Sequence, residues 1–123
     1  MLGFLSNDFG MQAGSDGQID SCNGKYMVTF KQFAIDHVHD TDGAGPVEPQ
    51  PVWKWILAQP DPGPVAGGLD PTWNFHKYLI SKDGKLVKHW ASPTYPGDDP
   101  ANPNDSFDTS EIVQAIKAEL AKP

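Results

Sequence analysis

Residues 1–5 form a continuous apolar run that stops at three polar residues, Ser6, Asn7 and Asp8. A short apolar run without alternation is typical of a strand that is buried on both faces of a sheet. Such a strand needs a neighbouring strand on each side. The chain must therefore build a sheet around this run, and this requirement constrains the fold more than any other feature of the sequence.

The first helix is predicted from its cap. Ser15 and Gln18 match a capping box, in which the two residues satisfy each other's backbone groups at the start of a helix. The spacing of Ile19, Cys22 and Tyr26 then predicts one apolar face on a helix that ends near Tyr26. We expect this face to pack against the core.

Two later helices are predicted from their first turns. Pro51 suits the first turn of a helix whose apolar stripe lies within residues 52–57, and Pro60 stops it. Asp108 and Glu111 predict the cap of a third helix. The residues of this helix that are expected to face the core are Ile112, Val113, Ile116 and Leu120.

The remaining strands are predicted from pattern and turn chemistry. Residues 32–38 lack a helical period and predict a strand. Residues 75–80 and 86–90 flank Asp83 and Gly84, a pair that supplies the turn of an antiparallel hairpin. The order strand, helix, strand, helix, hairpin, helix predicts an α/β fold with a mixed sheet and three helices.

Length and charge limit the classes of function. The 123 residues fit a single domain over the whole chain, 1–123. The net charge of −7 opposes binding to nucleic acid, because such binding depends on neutralising phosphates. No apolar run approaches the roughly 20 residues that span a bilayer. We therefore expect a soluble protein without a membrane partner, and a cytoplasmic location is favoured.

Two motifs carry most of the functional information, and each is a strand that meets a loop. They are residues 4–12 (FLSNDFGMQ) and residues 73–80 (WNFHKYLI), and residues 22–30 (CNGKYMVTF) add a third match. In this order and spacing they resemble the glutathione peroxidase family, from about Leu2 to Leu120. The resemblance implies a thioredoxin-like fold and a thiol-dependent peroxidase that reduces hydrogen peroxide or organic hydroperoxides. It also implies glutathione or thioredoxin as the reducing cosubstrate, and no bound cofactor.

The resemblance further implies that Gln12, Trp73 and Asn74 surround the reactive sulfur or selenium. An indole N–H and two carboxamide NH2 groups are donors that do not ionise, so they can stabilise a chalcogen anion and lower its pKa. The sequence departs from the family behind Gln12, where Ala13-Gly14 stands in place of Glu-Pro-Gly. We expect the loop behind Gln12 to be less rigid than in the family.

The family's peroxidatic cysteine or selenocysteine would lie well before Gln12, on a strand and helix that this sequence does not contain. Without that inner strand, the sheet is expected to divide into two half-sheets. We therefore expect the chain to be an N-terminally truncated fragment of a longer product. One route is a selenocysteine codon that is read as a stop, and the fragment alone is then expected to be inactive.

Cys22 is the sequence's one cysteine and has two interpretations. Its position on the apolar face of the first helix favours a buried, inert thiol. By the resemblance, some relatives carry a resolving cysteine at or next to this position, and such a thiol forms a disulfide with the oxidised peroxidatic residue. Both interpretations stand at the level of the sequence.

Other side chains suggest a different class of function, a thioredoxin-like domain that binds a partner or a metal. His37 and His39 are predicted to share one face of a strand, and His76 and His89 to be cross-strand partners in the hairpin. Histidines of this kind suit zinc or copper. No motif spacing supports a site, so a solvated face is the simpler interpretation. The lysines that could dock an anionic thiol are Lys77, Lys82, Lys85 and Lys88.

Overall fold

A computed structural model describes residues 1–10, 14–40, 45–63, 65, 67–97, 101 and 106–123. The backbone forms two compact units, Met1–Ala58 and Gln59–Pro123. In the part of the chain that the structure describes, no helix is long and apolar enough to cross a membrane. Each unit is described below by itself.

The first unit is built on a parallel pair of strands. Strand β1 (Leu2–Phe4) pairs with β2 (Lys31–Phe33), and helix α1 (Asp16–Tyr26) connects them. Helix α2 (Pro51–Leu57) follows and begins with the predicted proline. The buried apolar side chains of this unit are Val38, Trp53 and Ile56. The Phe4 ring stacks on Phe33 with 4.6 Å between centroids and meets the edge of Trp53 at 5.9 Å.

The two strands of this unit differ from their predictions. Strand β1 is not buried on both faces, because Leu2 is exposed while Gly3 and Phe4 are half-buried. Strand β2 ends at Phe33, although a strand over 32–38 was predicted from the pattern. The amides of Val38 and His39 donate to the carboxylate of Asp8, so they are not available for a strand ladder.

Helix α1 begins with the predicted capping box and ends near the predicted residue. The Ser15 amide donates to Gln18 Oε1 over 2.9 Å, and Met27 takes the left-handed conformation after the last turn. The helix buries none of its residues, so the prediction that Cys22 and Tyr26 face the core is wrong. Three apolar side chains among eleven residues form too narrow a stripe to hold the helix face against a core.

The second unit contains the predicted hairpin. Strands β3 (Lys77–Ile80) and β4 (Leu86–Trp90) are antiparallel, and their turn contains Gly84 with φ of +78°. A positive φ is accessible to glycine without steric cost, which explains why Asp-Gly marks this turn. Helix α3 (Glu111–Leu120) follows. The buried apolar residues of this unit are Leu69, Trp90, Ile112 and Val113.

Ser110 stands at the N-cap position of helix α3, without a capping hydrogen bond from its side chain, so the prediction of Asp108 at that position is wrong. Ser106 and Thr109 form a separate turn before the helix, with the Ser106 amide 2.9 Å from Thr109 Oγ1. Ile112 and Val113 are buried as predicted. Two other predictions for the core are wrong, because Ile116 is 40% exposed and Leu120 is more exposed still.

The α/β class, the three helices and the hairpin are confirmed. The single mixed sheet is not, since the described strands form one parallel pair and one antiparallel pair.

Candidate functional site

The segment Trp73, Asn74 and Phe75 lies directly before β3. Trp73 is 52% exposed and Asn74 is half-buried. Phe75 has φ of +59° and its side chain is 82% exposed. A left-handed backbone costs a non-glycine residue about 1–2 kcal/mol. The surrounding structure must therefore supply the contacts that keep this turn in place.

Side chains and carbonyls after β4 hold both ends of the turn. The Ser92 hydroxyl donates to the carbonyl oxygen of Asn74. Lys77 Nζ donates to the carbonyl oxygens of Ser92 at 3.0 Å and Thr94 at 2.7 Å. Burial lowers the pKa of Lys77, but its two carbonyl acceptors favour the charged ammonium. These contacts anchor the backbone of Asn74 and the side chain of Lys77 to the segment that follows the hairpin.

Gln12 lies outside the described residues, so the structure does not report its position relative to Trp73 and Asn74. The structure does describe both ends of the loop that carries it. Asn7 Oδ1 accepts the Gly14 amide at 3.2 Å, and Asn7 Nδ2 donates to the Gly14 carbonyl at 3.4 Å. Gly14 has φ of +70°, which favours glycine at this point. The Asn7 amide therefore ties the two ends of the Gln12 loop together.

Asp8 is a buried carboxylate in the same motif, and sequence reasoning gave it no role. Its side chain is 4% exposed and accepts Val38 N at 2.7 Å, His39 N at 3.4 Å and His37 Nδ1 at 2.8 Å. Burial acts to raise the pKa of Asp8, but the hydrogen bonds from Val38, His37 and Ser6 hold it below its usual value. Asp8 therefore connects the end of β1 to residues 37–39. No local pattern could have revealed a contact between residues 29 apart.

Cys22 lies exposed on α1. The interpretation as a buried, inert thiol is therefore wrong, because the helix face that carries Cys22 is open. An exposed thiol can be reached by another thiol or by a disulfide, as a resolving cysteine requires. That role stays a prediction.

The four histidines make different contacts in the structure. Among the described residues, no group of three or more His, Cys, Asp or Glu side chains is placed to hold a metal ion. His37 and His39 follow the end of β2 and do not share a strand face. His37 pairs with Asp8, while the His39 ring meets the Phe9 ring edge-on at 4.9 Å. His76 and His89 are in contact as predicted, with 3.1 Å between ring nitrogens, although Tyr78 is the register partner of His89.

The four hairpin lysines are already engaged within their unit. Lys82 Nζ donates to the carbonyls of Leu120 and Lys122 at the end of α3. Lys85 pairs with Asp83, and Lys88 pairs with Glu111. Lys77 binds the two carbonyls described above. Docking of an anionic thiol on this cluster would have to displace or share these contacts.

The second unit also contains an open cavity of about 340 Å³ beside β4. Its lining includes Lys88, Trp90 and Glu111, and the Glu111 carboxylate accepts both Lys88 Nζ and the Trp90 indole. Hydrogen bonds from Lys88 and Trp90 lower the pKa of Glu111, so this carboxylate stays ionised at neutral pH.

No protein-family model matches the chain. The chain is 36% identical over 91 residues to a phospholipid hydroperoxide glutathione peroxidase of Sus scrofa, which covers 73% of the chain and 43% of that protein. It is 37% identical over 102 residues to the hydroperoxy fatty acid reductase gpx1 of Synechocystis, covering 78% of the chain and 56% of that protein. A phospholipid hydroperoxide glutathione peroxidase of Bos taurus is 35% identical over 91 residues, with 73% of the chain and 43% of that protein covered. The chain thus spans about half the length of the relatives that it matches.

Proposed function

Because the chain is related to the glutathione peroxidase family, we propose that it forms part of a thiol-dependent peroxidase that reduces hydrogen peroxide or organic hydroperoxides. The observation that carries this proposal is the Trp73–Asn74 segment, which keeps the family's sequence element on an anchored turn. A thioredoxin-like arrangement is part of the proposal. The helices, the parallel strand pair and the hairpin support it.

The chemistry assigns a role to each donor. A thiolate or selenolate attacks one peroxide oxygen, the O–O bond breaks, and the other oxygen leaves as water or an alcohol after taking a proton. A cysteine thiol with pKa of about 8.5 is mostly protonated at neutral pH, so the enzyme must favour the anion. Trp73, Asn74 and Gln12 would donate hydrogen bonds to it. By analogy with oxyanion-hole donors, each contributes about 3 kcal/mol.

The nucleophile in this proposal is a cysteine or selenocysteine outside residues 1–123. What supports this is that the sequence has one cysteine, Cys22, which lies exposed on α1 and outside the two motifs that carry Gln12, Trp73 and Asn74. Cys22 would act as the resolving thiol. The oxidised nucleophile would be returned to its reduced form by two reducing equivalents from glutathione or thioredoxin.

The test begins with the chain as it stands. Residues 1–123 and the Cys22→Ser variant are assayed with hydrogen peroxide and cumene hydroperoxide, with NADPH consumption coupled through either glutathione or thioredoxin. Neither protein is expected to turn over. Robust turnover that disappears in Cys22→Ser would show that Cys22 is the nucleophile and would overturn this assignment.

The second part of the test examines the coding DNA before Met1 for an in-frame cysteine or TGA codon in a strand-and-helix context. The longer product is then assayed with Trp73→Phe and Asn74→Ala. Each variant is expected to lower kcat/KM by about 100-fold. Full activity in both site variants would refute the proposed role of these donors.

A further inference from the structure

His76 directly follows the turn at Phe75 and is the last member of a hydrogen-bonded chain of three side chains. Asp61 Oδ1 lies 3.0 Å from His89 Nε2, and His89 Nδ1 lies 3.1 Å from His76 Nε2. His89 is 1% exposed, so this chain passes through the interior of the second unit. The Asp61 carboxylate also accepts the Gly63 amide at 2.9 Å, which fixes its orientation.

The partners of each nitrogen determine where the protons are. Among the residues that the structure describes, the groups near His89 Nε2 are the Asp61 carboxylate and the Gly63 carbonyl at 3.3 Å, and both are acceptors. His89 Nε2 must therefore carry a hydrogen. In a neutral His89 the Nδ1 atom is then an acceptor, so His76 Nε2 must donate to it. By the same logic His76 Nδ1 carries no hydrogen.

His76 Nδ1 is consequently a bare ring nitrogen. It is buried and has no hydrogen-bond partner in the part of the chain that the structure describes. The His76 ring stacks on Tyr78 at 4.7 Å and on His89 at 5.4 Å. A second proton on this ring would enter a site that offers it no acceptor.

We propose that Asp61, His89 and His76 are positioning residues that fix the turn at Phe75 and thereby the placement of Trp73 and Asn74. The proposal rests on the proposed function, in which these two side chains face the reacting atom. Phe75 is strained and its exposed ring offers little to hold it, so the anchors are its neighbours. The Ser92–Asn74 bond holds one side of the turn, and the His76 ring holds the other.

Protonation is expected to release this anchor at acidic pH. The charged or titratable groups around His76 are His89, Lys77 and Tyr78, with Asp61 behind His89 and Asp70 beside Tyr78. Burial lowers the pKa of His76 to about 4, and the positive charge of His89 in its protonated form and that of Lys77 act in the same direction. The anchor is therefore intact at neutral pH.

The test uses the 15N-labelled chain 1–123 and two substitutions that separate hydrogen bonding from shape. In His76→Gln the amide nitrogen can replace the imidazole Nε2 as donor but does not titrate. In His76→Phe the stacked ring remains and the donor is lost. Tyr78→Phe is the control, because it removes the hydroxyl that donates to the Leu69 carbonyl at 2.7 Å and leaves the histidine chain in place.

Two NMR readouts are measured, and neither needs peroxide or a reductant. Long-range 1H–15N correlations are expected to show both histidines as Nε2–H tautomers at pH 7. The Trp73 indole and Asn74 amide signals are expected to shift in His76→Phe and to stay in place in His76→Gln and Tyr78→Phe. Between pH 7 and 4 these signals should move in the unsubstituted chain and not in His76→Gln.

Several results would overturn the proposal. An Nδ1–H tautomer on either histidine would contradict the proton placement. Equal Trp73 and Asn74 signals in the unsubstituted chain and in both His76 variants would contradict positioning. If His76→Phe does not fold, an unchanged pH response in His76→Gln would still refute it. Because no step depends on turnover, failure here is distinguishable from failure of the peroxidase assay.

Discussion

Asp8→Asn is expected to loosen the segment that follows β2. The two oxygens of the buried Asp8 carboxylate accept the Val38 and His39 amides and the His37 ring. An asparagine has one side-chain oxygen in place of two and carries no charge. Some of these donors would therefore face the NH2 group of the asparagine, which cannot accept their hydrogen bonds. A hydrogen bond to a charged group contributes about 1.5–3 kcal/mol, and each 1.4 kcal/mol corresponds to a factor of ten. Protection of the Val38 amide from hydrogen exchange should therefore fall by about 10- to 100-fold.

The assay is amide hydrogen exchange followed by NMR at pH 7. Asp40→Asn serves as the control, because it removes an exposed carboxylate from the same segment. The effect also has a defined pH dependence. Since the folded pKa of Asp8 lies below its ordinary value of 3.8, its contribution is present above that value and is lost as the pH falls through the folded pKa. Unchanged Val38 protection in Asp8→Asn would refute this account of the motif.

Three further predictions concern the second unit. The free energy of unfolding of this unit should be constant above pH 6.5 and should fall by about 1–2 kcal/mol as the pH decreases to about 4. The reason is that the His76 ring resists protonation in the folded state, whereas the unfolded chain accepts the proton. The magnitude includes a reduction for solvent screening, because the ring is half-buried. Chemical unfolding at several pH values measures this, and a slope retained in His76→Gln would contradict it. Lys82→Ala should lower the thermal unfolding midpoint by about 2–4 °C, because two carbonyls at the end of α3 lose their donor. High salt should reduce the difference in midpoint between the two proteins, because it screens the charge of Lys82. Ile112→Ala should lower the free energy of unfolding by about 2–4 kcal/mol and Ile116→Ala by less than about 1 kcal/mol, because the first side chain is buried and the second is partly exposed. Equal decreases in urea unfolding would contradict this difference in burial.

The parts of the fold that were predicted correctly from the sequence are those fixed by nearby residues. The hairpin depends on Asp83 and Gly84, and the start of α1 depends on Ser15 and Gln18, so both signals lie within a few positions. The first turn of α2 is set by Pro51 in the same way. Local chemistry was sufficient in each of these cases.

The parts that were not predicted depend on distant partners. The position of Asp8 against residues 37–39 removes the amides that a longer β2 would need, and no pattern within 32–38 indicates this. Cys22 lies on a regular apolar spacing, yet spacing does not reveal whether anything covers that face. The hydrogen bonds of Asp61 with His89 and of His89 with His76 connect a loop to strand β4 and to the residue before β3. Such contacts follow from tertiary structure, which periodicity does not encode.

The left-handed backbone at Phe75 has a consequence for protein engineering. Glycine would occupy this φ without penalty, so Phe75→Gly should relieve local strain even though it removes a large aromatic ring. A strained residue that glycine would relieve lowers the stability of the fold, and such strain is concentrated at functional sites. Phe75→Gly is therefore a simple way to stabilise this scaffold, and the function of the neighbouring Trp73 indole and Asn74 carboxamide would be impaired by it.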